Sequence, residues 1–250
     1  MLGHVVLTGE KGWKTVVDRY EVLGLPLLRV SIPGQFGRHE KRLERRIDRA
    51  ARRLREAGVR RVLTASDFSC WERLEAQGLK GVDPGPMCQT MAAELALAAL
   101  EGGLCPPERA VVALRGGRVS RPFFQAAVAL CARVQGVAVC APSGGGELAD
   151  YLRREFGLPV LEREQPALTL EFSPVSGENH GEPVMVLHGP SLSLLGLSLG
   201  PEQPVPEGLA SLPLTAALWE EGYLTKPHVI MAGNFAKQRD EKGKALDRTL

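Results

Sequence analysis

The sequence predicts an α/β fold: a Rossmann-like, mostly parallel sheet with helices on both faces, preceded by a smaller α/β segment. Three observations carry this. Short apolar runs alternate with longer amphipathic stretches, the pattern left by strands and crossover helices. The run Ala110–Leu114 is apolar at every position, as expected for a strand covered on both faces. Two glycine-rich turns, Arg115–Val119 and Pro142–Gly146, each follow such a run and feed a helix. Together they give a βαβαβ outline, half of a doubly wound nucleotide-binding fold.

The elements follow in order. His4–Thr8 and Leu27–Ile32 read as strands, the second stopped by Pro33 and Gly34. From Arg38 to Ala57, the residues Leu43, Ile47, Ala50, Leu54 and Ala57 recur at spacings of three and four. That is one apolar stripe on a helix, and Gly58 ends it. Arg61–Ala65 is the next strand. Ser66 or Asp67 is placed to cap the following helix, which carries Trp71 and Leu74. Val82–Pro86 is a break, and Met87–Leu100 reads as a buried helix closed by Gly102-Gly103 and Pro106-Pro107.

After the strand Ala110–Leu114, Ser120 is the expected N-cap, with Pro122 in the first turn of a helix that runs to about Val134. Gly136–Cys140 is a strand, Glu147–Phe156 a helix ended by Gly157, and Leu158–Leu161 the third strand of the unit. Ala167–Phe172, Val184–His188 and His228–Met231 read as further strands, Leu212–Glu221 as a helix, and Ala236–Leu250 as a polar tail. The division expected from these breaks is 1–85, a linking helix at 86–104, a Rossmann-like domain at 105–235, and the tail at 236–250.

Composition excludes several classes. Of 250 residues, 44% are apolar and 24% charged, an ordinary globular balance. A net charge of +2 provides no field to draw in nucleic acid. The five cysteines contain no Cys-x-x-Cys pair and read as reduced thiols. The start of the chain lacks a signal-peptide pattern, and apolar runs such as Leu192–Leu199 are too short to span a bilayer. The expectation is a cytoplasmic protein with a small-molecule ligand and neither a membrane nor a nucleic-acid partner. Self-association is left open.

Ligands of parallel sheets bind beyond the carboxyl ends of the strands. Gly116, Gly117, Arg118, Ser120 and Arg121 lie there, with Arg115 beside them. A glycine turn feeding a helix offers backbone N–H groups, and arginines suit phosphate or carboxylate. The spacing departs from Gly-x-Gly-x-x-Gly, so a plain tight turn with exposed arginines is the competing reading. Ser143, Gly144 and Gly145 form the second candidate turn. The strand before it ends without the acid that holds the ribose in NAD enzymes. That leaves room for NADP, for another phosphorylated ligand, or for a flexible loop without one.

Asp67, Asp83 and His188 are the acid–base candidates, each with a structural alternative as cap, turn residue or strand-end histidine. No residue is assigned a catalytic role. The histidines lack metal-ligand spacing, and nucleophile-elbow and Walker motifs are absent. On the 38–57 helix, Arg42, Arg45, Arg46, Arg49, Arg52 and Arg53 alternate with Glu40, Glu44, Asp48 and Glu56. This reads as a solvated, self-paired face, or else a surface for an acidic partner.

An α/β segment, a buried helix at Met87–Leu100, then a nucleotide-binding unit from Ala110 resembles the layout of the shikimate dehydrogenase and methylenetetrahydrofolate dehydrogenase group. The resemblance spans Gly58–Val160 and is one of architecture. That group's Asn-x-x-x-Pro-x-Lys and Asn-Thr-Asp-Gly stretches are absent, so no catalytic residue is carried over. Two expectations result. One is a protein that binds a phosphate- or carboxylate-bearing small ligand without recognisable catalytic machinery. The other, implied by the resemblance, is an NADP-type oxidoreductase.

Overall fold

The computed structural model describes residues 1–9, 15–34, 40–157, 166–175 and 182–231. The chain is mixed α/β with parallel sheets, in two compact units: Met1–Pro84 with Leu199–His228, and Gly85–Ser198 with the chain from Val229. The sequence division assigned all of 105–235 to one domain. In the structure, Leu199–His228 groups with the first unit instead, because its helix packs there. The expected strand Leu158–Leu161 and the tail at 236–250 lie outside the described residues.

The first unit is built around β1 (Leu2–Leu7), which pairs in parallel with both β3 (Leu25–Ile32) and β4 (Arg61–Leu63). β2 (Val16–Val22) runs antiparallel to β3, and β5 (Lys80–Gly81) parallel to β4, giving the order β2-β3-β1-β4-β5. The β2–β3 hairpin closes through Leu23 (φ 51°) and Gly24 (φ 85°). Two central residues with positive φ make the hairpin turn whose twist matches its strands.

Helix α1 (Glu40–Glu56) lays the expected stripe, Leu43, Ile47, Ala50 and Leu54, onto Val5, Val30, Ile32 and Val62. Its polar face is engaged with α2 (Trp71–Ala76). Arg73 reaches Glu44 at 2.6 Å and Asp48 at 3.0 Å, and Arg55 donates to the Gln77 carbonyl at 2.8 Å. The same unit contains α7 (Ser211–Glu220), with Leu214, Ala216, Ala217 and Leu218 all buried. Arg61 pairs with Glu220 and, at 3.2 Å, with Glu221, and the Ala210 N–H reaches the Thr64 carbonyl at 2.9 Å.

In the second unit the expected helix Met87–Leu100 is two helices, α3 (Gly85–Thr90) and α4 (Ala92–Ala99). They meet at Met91, whose backbone (φ −89°, ψ 11°) leaves the helical range. The bonds Met91 N–H to Met87 carbonyl and Leu95 N–H to Met91 carbonyl carry the chain through the kink. The sheet contains β6 (Val111–Arg115), β7 (Gly136–Cys140), β8 (Leu168–Glu171) and β9 (Val184–Val186), all parallel, in the order β7-β6-β8-β9. Helices α5 (Arg121–Cys131) and α6 (Gly145–Phe156) follow β6 and β7. β10 (Leu197–Gly200) and β11 (His228–Met231) form a separate two-stranded ladder. Among the described residues, no helix is long and apolar enough to cross a membrane.

One buried polar network organises the first unit. His4 is 3% exposed. Its Nε2 faces the Gly208 carbonyl at 3.0 Å, an acceptor only, so Nε2 carries the proton and Nδ1 accepts from the Tyr20 hydroxyl. Arg29 sits 4.7 Å over the Tyr20 ring and grips Asp18 through two bonds, at 3.1 and 2.5 Å. Burial holds the His4 imidazole below its ordinary pKa of 6.5 and lifts the Tyr20 phenol to about 12. Below about pH 6.5 the unfolded chain takes up a proton at His4 that the native state refuses, so stability falls with pH. Denaturant midpoints of the wild type and His4→Gln across acid and neutral pH check this. The wild type leads above about pH 6.5, and its lead shrinks on acidification. A lead that stays constant contradicts it.

Candidate functional site

The two glycine-rich turns singled out in the sequence lie side by side. Arg118 forms a parallel bridge with Ser143, and the Val119 N–H donates to the Ser143 carbonyl at 2.9 Å. Gly144, the residue before α6, has φ 79°, and a Cβ there would also meet the Val119 side chain at 3.3 Å. Glycine is therefore required for both its backbone angle and its contact. Gly116, Gly117, Arg118, Ser120 and Arg121 on one turn thus face Ser143, Gly144 and Gly145 on the other at the carboxyl edge of β6 and β7.

The turns differ in which donors they leave free. After β6, the Gly116 N–H goes to the Cys140 carbonyl at 3.1 Å and the Gly117 N–H to the Ser173 hydroxyl at 2.8 Å. Ser120 caps α5 as expected, accepting the Phe123 N–H at 3.4 Å, with Pro122 in the first turn. The donors expected to cradle an anion here are largely engaged. The start of α6 is the opposite. Gly144 offers no side-chain cap, and the first-turn N–H groups of Gly145, Gly146 and Glu147 find no acceptor among the described residues. The Arg118 and Arg121 side chains likewise make no hydrogen bond or ion pair among the described residues. An exposed, uncapped helix start beside an unpaired guanidinium is arranged to accept an anion.

Of the acid–base candidates, His188 acquires a partner the sequence reading missed. Its Nε2 lies 2.8 Å from Glu171, with both side chains largely buried. Glu171 ends β8 and is the register neighbour of Arg115 on β6. Gln89 of α3 donates to the Phe172 and Leu187 carbonyls at 3.0 and 3.3 Å, tying the ends of β8 and β9 together beneath this pair. Glu171 lies inside the expected strand Ala167–Phe172, so a rule that takes residues beyond strand ends does not reach it.

Asp67 and Asp83 belong to the first unit. Neither Ser66 nor Asp67 caps α2. That helix starts at Trp71 with Cys70 at its N-cap and no side-chain cap bond. The cause is Phe68: it is 6% exposed, and its N–H turns back to the Ala65 carbonyl at 3.2 Å, so the chain completes a tight turn before the helix begins. Asp67 is left exposed at the mouth of a crevice of about 270 Å³. The crevice is lined by Val5–Leu7 of β1, Thr8 and Gly9 after it, Gly34 after β3, Ala65, Asp67 and Phe68 after β4, and Gly208. No group of three or more metal-ligating side chains occurs among the described residues.

The Glu171 carboxylate accepts only, so neutral His188 must carry its proton on Nε2 and present Nδ1 as the acceptor. Imidazole nitrogen shifts at neutral pH are expected to identify the Nε2–H form. An Nδ1–H form contradicts the pairing. Compared with known proteins, the chain matches no protein-family model, and no curated protein matches it either.

Proposed function

We propose that this protein binds a small ligand bearing a phosphate or carboxylate, seated between Arg118 and the start of α6. The observation that carries the reading is the pairing of an uncapped twelve-residue helix start with an unpartnered arginine across the Arg118–Ser143 bridge. Partial positive charge on aligned N–H groups and a full charge on the guanidinium act on one anion. The reading takes the second unit as a Rossmann-like, doubly wound fold. Chain order β6-β7-β8-β9 and spatial order β7-β6-β8-β9 put the β6–α5 and β7–α6 turns side by side at the carboxyl ends of neighbouring strands, the edge on which open α/β sheets bind ligands. All five cysteines are free thiols, which supports a reducing, cytoplasmic setting.

An NADP-type oxidoreductase is the second reading. Arg118 beside Ser143, three residues past the end of β7, favours it, because an arginine near this strand end takes the 2′-phosphate in such enzymes. The engaged Gly116 and Gly117 N–H groups weigh against a pyrophosphate in the first turn. A ligand with one phosphate therefore ranks above a dinucleotide.

Thermal shift with inorganic phosphate, ATP and NADP tests the proposal. A ligand at a hundred times its Kd adds roughly 2.7 kcal/mol of stability, or several degrees. The shift is expected to vanish in Arg118→Ala and to grow in Glu147→Gln, which removes a competing carboxylate from the first turn of α6. No shift with any of the three, or an unchanged shift in Arg118→Ala, overturns it.

A further inference from the structure

We infer that the first unit holds a ligand site of its own, for a small organic cation with a hydrocarbon body, in the crevice beyond β1 and β4. This stands apart from the anion site proposed for the second unit.

Topology opens the crevice. β1 and β4 are adjacent and parallel. The chain leaves β1 toward β2 and β3 on one side and leaves β4 through α2 toward β5 on the other. Connections that depart in opposite directions from neighbouring parallel strands leave a gap between them, and that gap is where open α/β sheets bind ligands. The 270 Å³ crevice lies at this place.

The lining sets the chemistry. The lining is mixed: Val5, Leu7 and Phe68 contribute apolar surface, and Thr8, Asp67 and backbone groups contribute polar surface. The Phe68 ring is held edge-on by Trp71, with centroids 5.6 Å apart at 81°. The far wall at Gly208 is fixed by the His4 bond and by the Ala210–Thr64 bond, so the cavity is formed before a ligand arrives. Asp67 is the only lining residue among those described with an ionisable side chain, and it makes no hydrogen bond or ion pair among the described residues. Because Asp67 does not cap α2, its carboxylate is left at a crevice of mixed polar and apolar lining. A ligand ammonium supplies the missing charge-assisted bond while its hydrocarbon part fills the space against Val5, Leu7 and Phe68. A carboxylate or phosphate ligand would meet repulsion from Asp67, and no cationic side chain lines the crevice among the described residues.

Isopentylamine and the neutral alcohol 3-methylbutan-1-ol serve as matched probes in an amide-shift titration of the full chain. The amine is expected to move the Thr8, Gly9 and Phe68 amides saturably and to bind Asp67→Asn roughly tenfold more weakly, the effect of one charge-assisted bond. The alcohol is expected to bind both proteins alike and no better than the amine binds Asp67→Asn. Asp67 is exposed and unbonded, so Asp67→Asn retains the fold, and Ala65→Leu, which fills the crevice, is a second variant expected to abolish the shifts. Amine binding that is unchanged in Asp67→Asn, or absent from those three amides, overturns the inference. The Arg118-dependent phosphate response is unaffected by either variant, so failure here is distinct from failure of the anion site.

Discussion

Parallel pairing on both sides of one strand constrains everything else in each unit. β1 is bonded in parallel to β3 and β4, and β6 to β7 and β8. A parallel neighbour cannot be reached by a tight turn, so the chain must cross over: α5 carries it from β6 to β7, α1 lies between β3 and β4, and β2 intervenes between β1 and β3. All carboxyl ends of such strands fall on one edge. The turns after them therefore converge without any residue having been selected to bring them together. Arg118 meets Ser143 for this reason, and Asp67 meets Thr8 and Gly9 for the same reason.

The two edges differ in the charge they leave unmatched. In the second unit, side chains and carbonyls take up most donors of the β6–α5 turn, while α6 begins without a cap and with arginines nearby. In the first, the hydrogen-bonding capacity of the edge is spent on structure, through His4, Thr64 and Ala210, and one carboxylate remains. The contrast rests on small local causes: a glycine at position 144 where α5 has Ser120, and a buried Phe68 that ends a turn before α2 can use Asp67.

The parts of the fold legible in the sequence are those whose burial leaves a periodic trace. The apolar core of β6 is buried throughout and reads as an unbroken run, and Gly136–Cys140 also reads as a run although β7 is an edge strand whose end opens to solvent. The α1 stripe reads at helical spacing because one face alone packs on the sheet. β2 was missed because it is an edge strand with Asp18, Arg19 and Glu21 in its span and one unpaired side. β5, at two residues, is too short to carry a period. The glycine turns are legible, but which of their N–H donors are engaged is not. Whether an N–H is spent depends on a residue such as Ser173, 56 positions from Gly117. The Glu171–His188 pair was invisible for a similar reason, since strand register brings it together and no motif spacing encodes it.

The central claim is that the start of α6, and not the β6–α5 turn, is the open anion-binding end of the second unit. Titrating inorganic phosphate into nitrogen-labelled protein while following backbone amides tests it most directly. The account predicts saturable movement of the Gly145, Gly146 and Glu147 amides, with the Gly116 and Gly117 amides still. Movement centred on Gly116 and Gly117, or no saturable movement at α6, would contradict it.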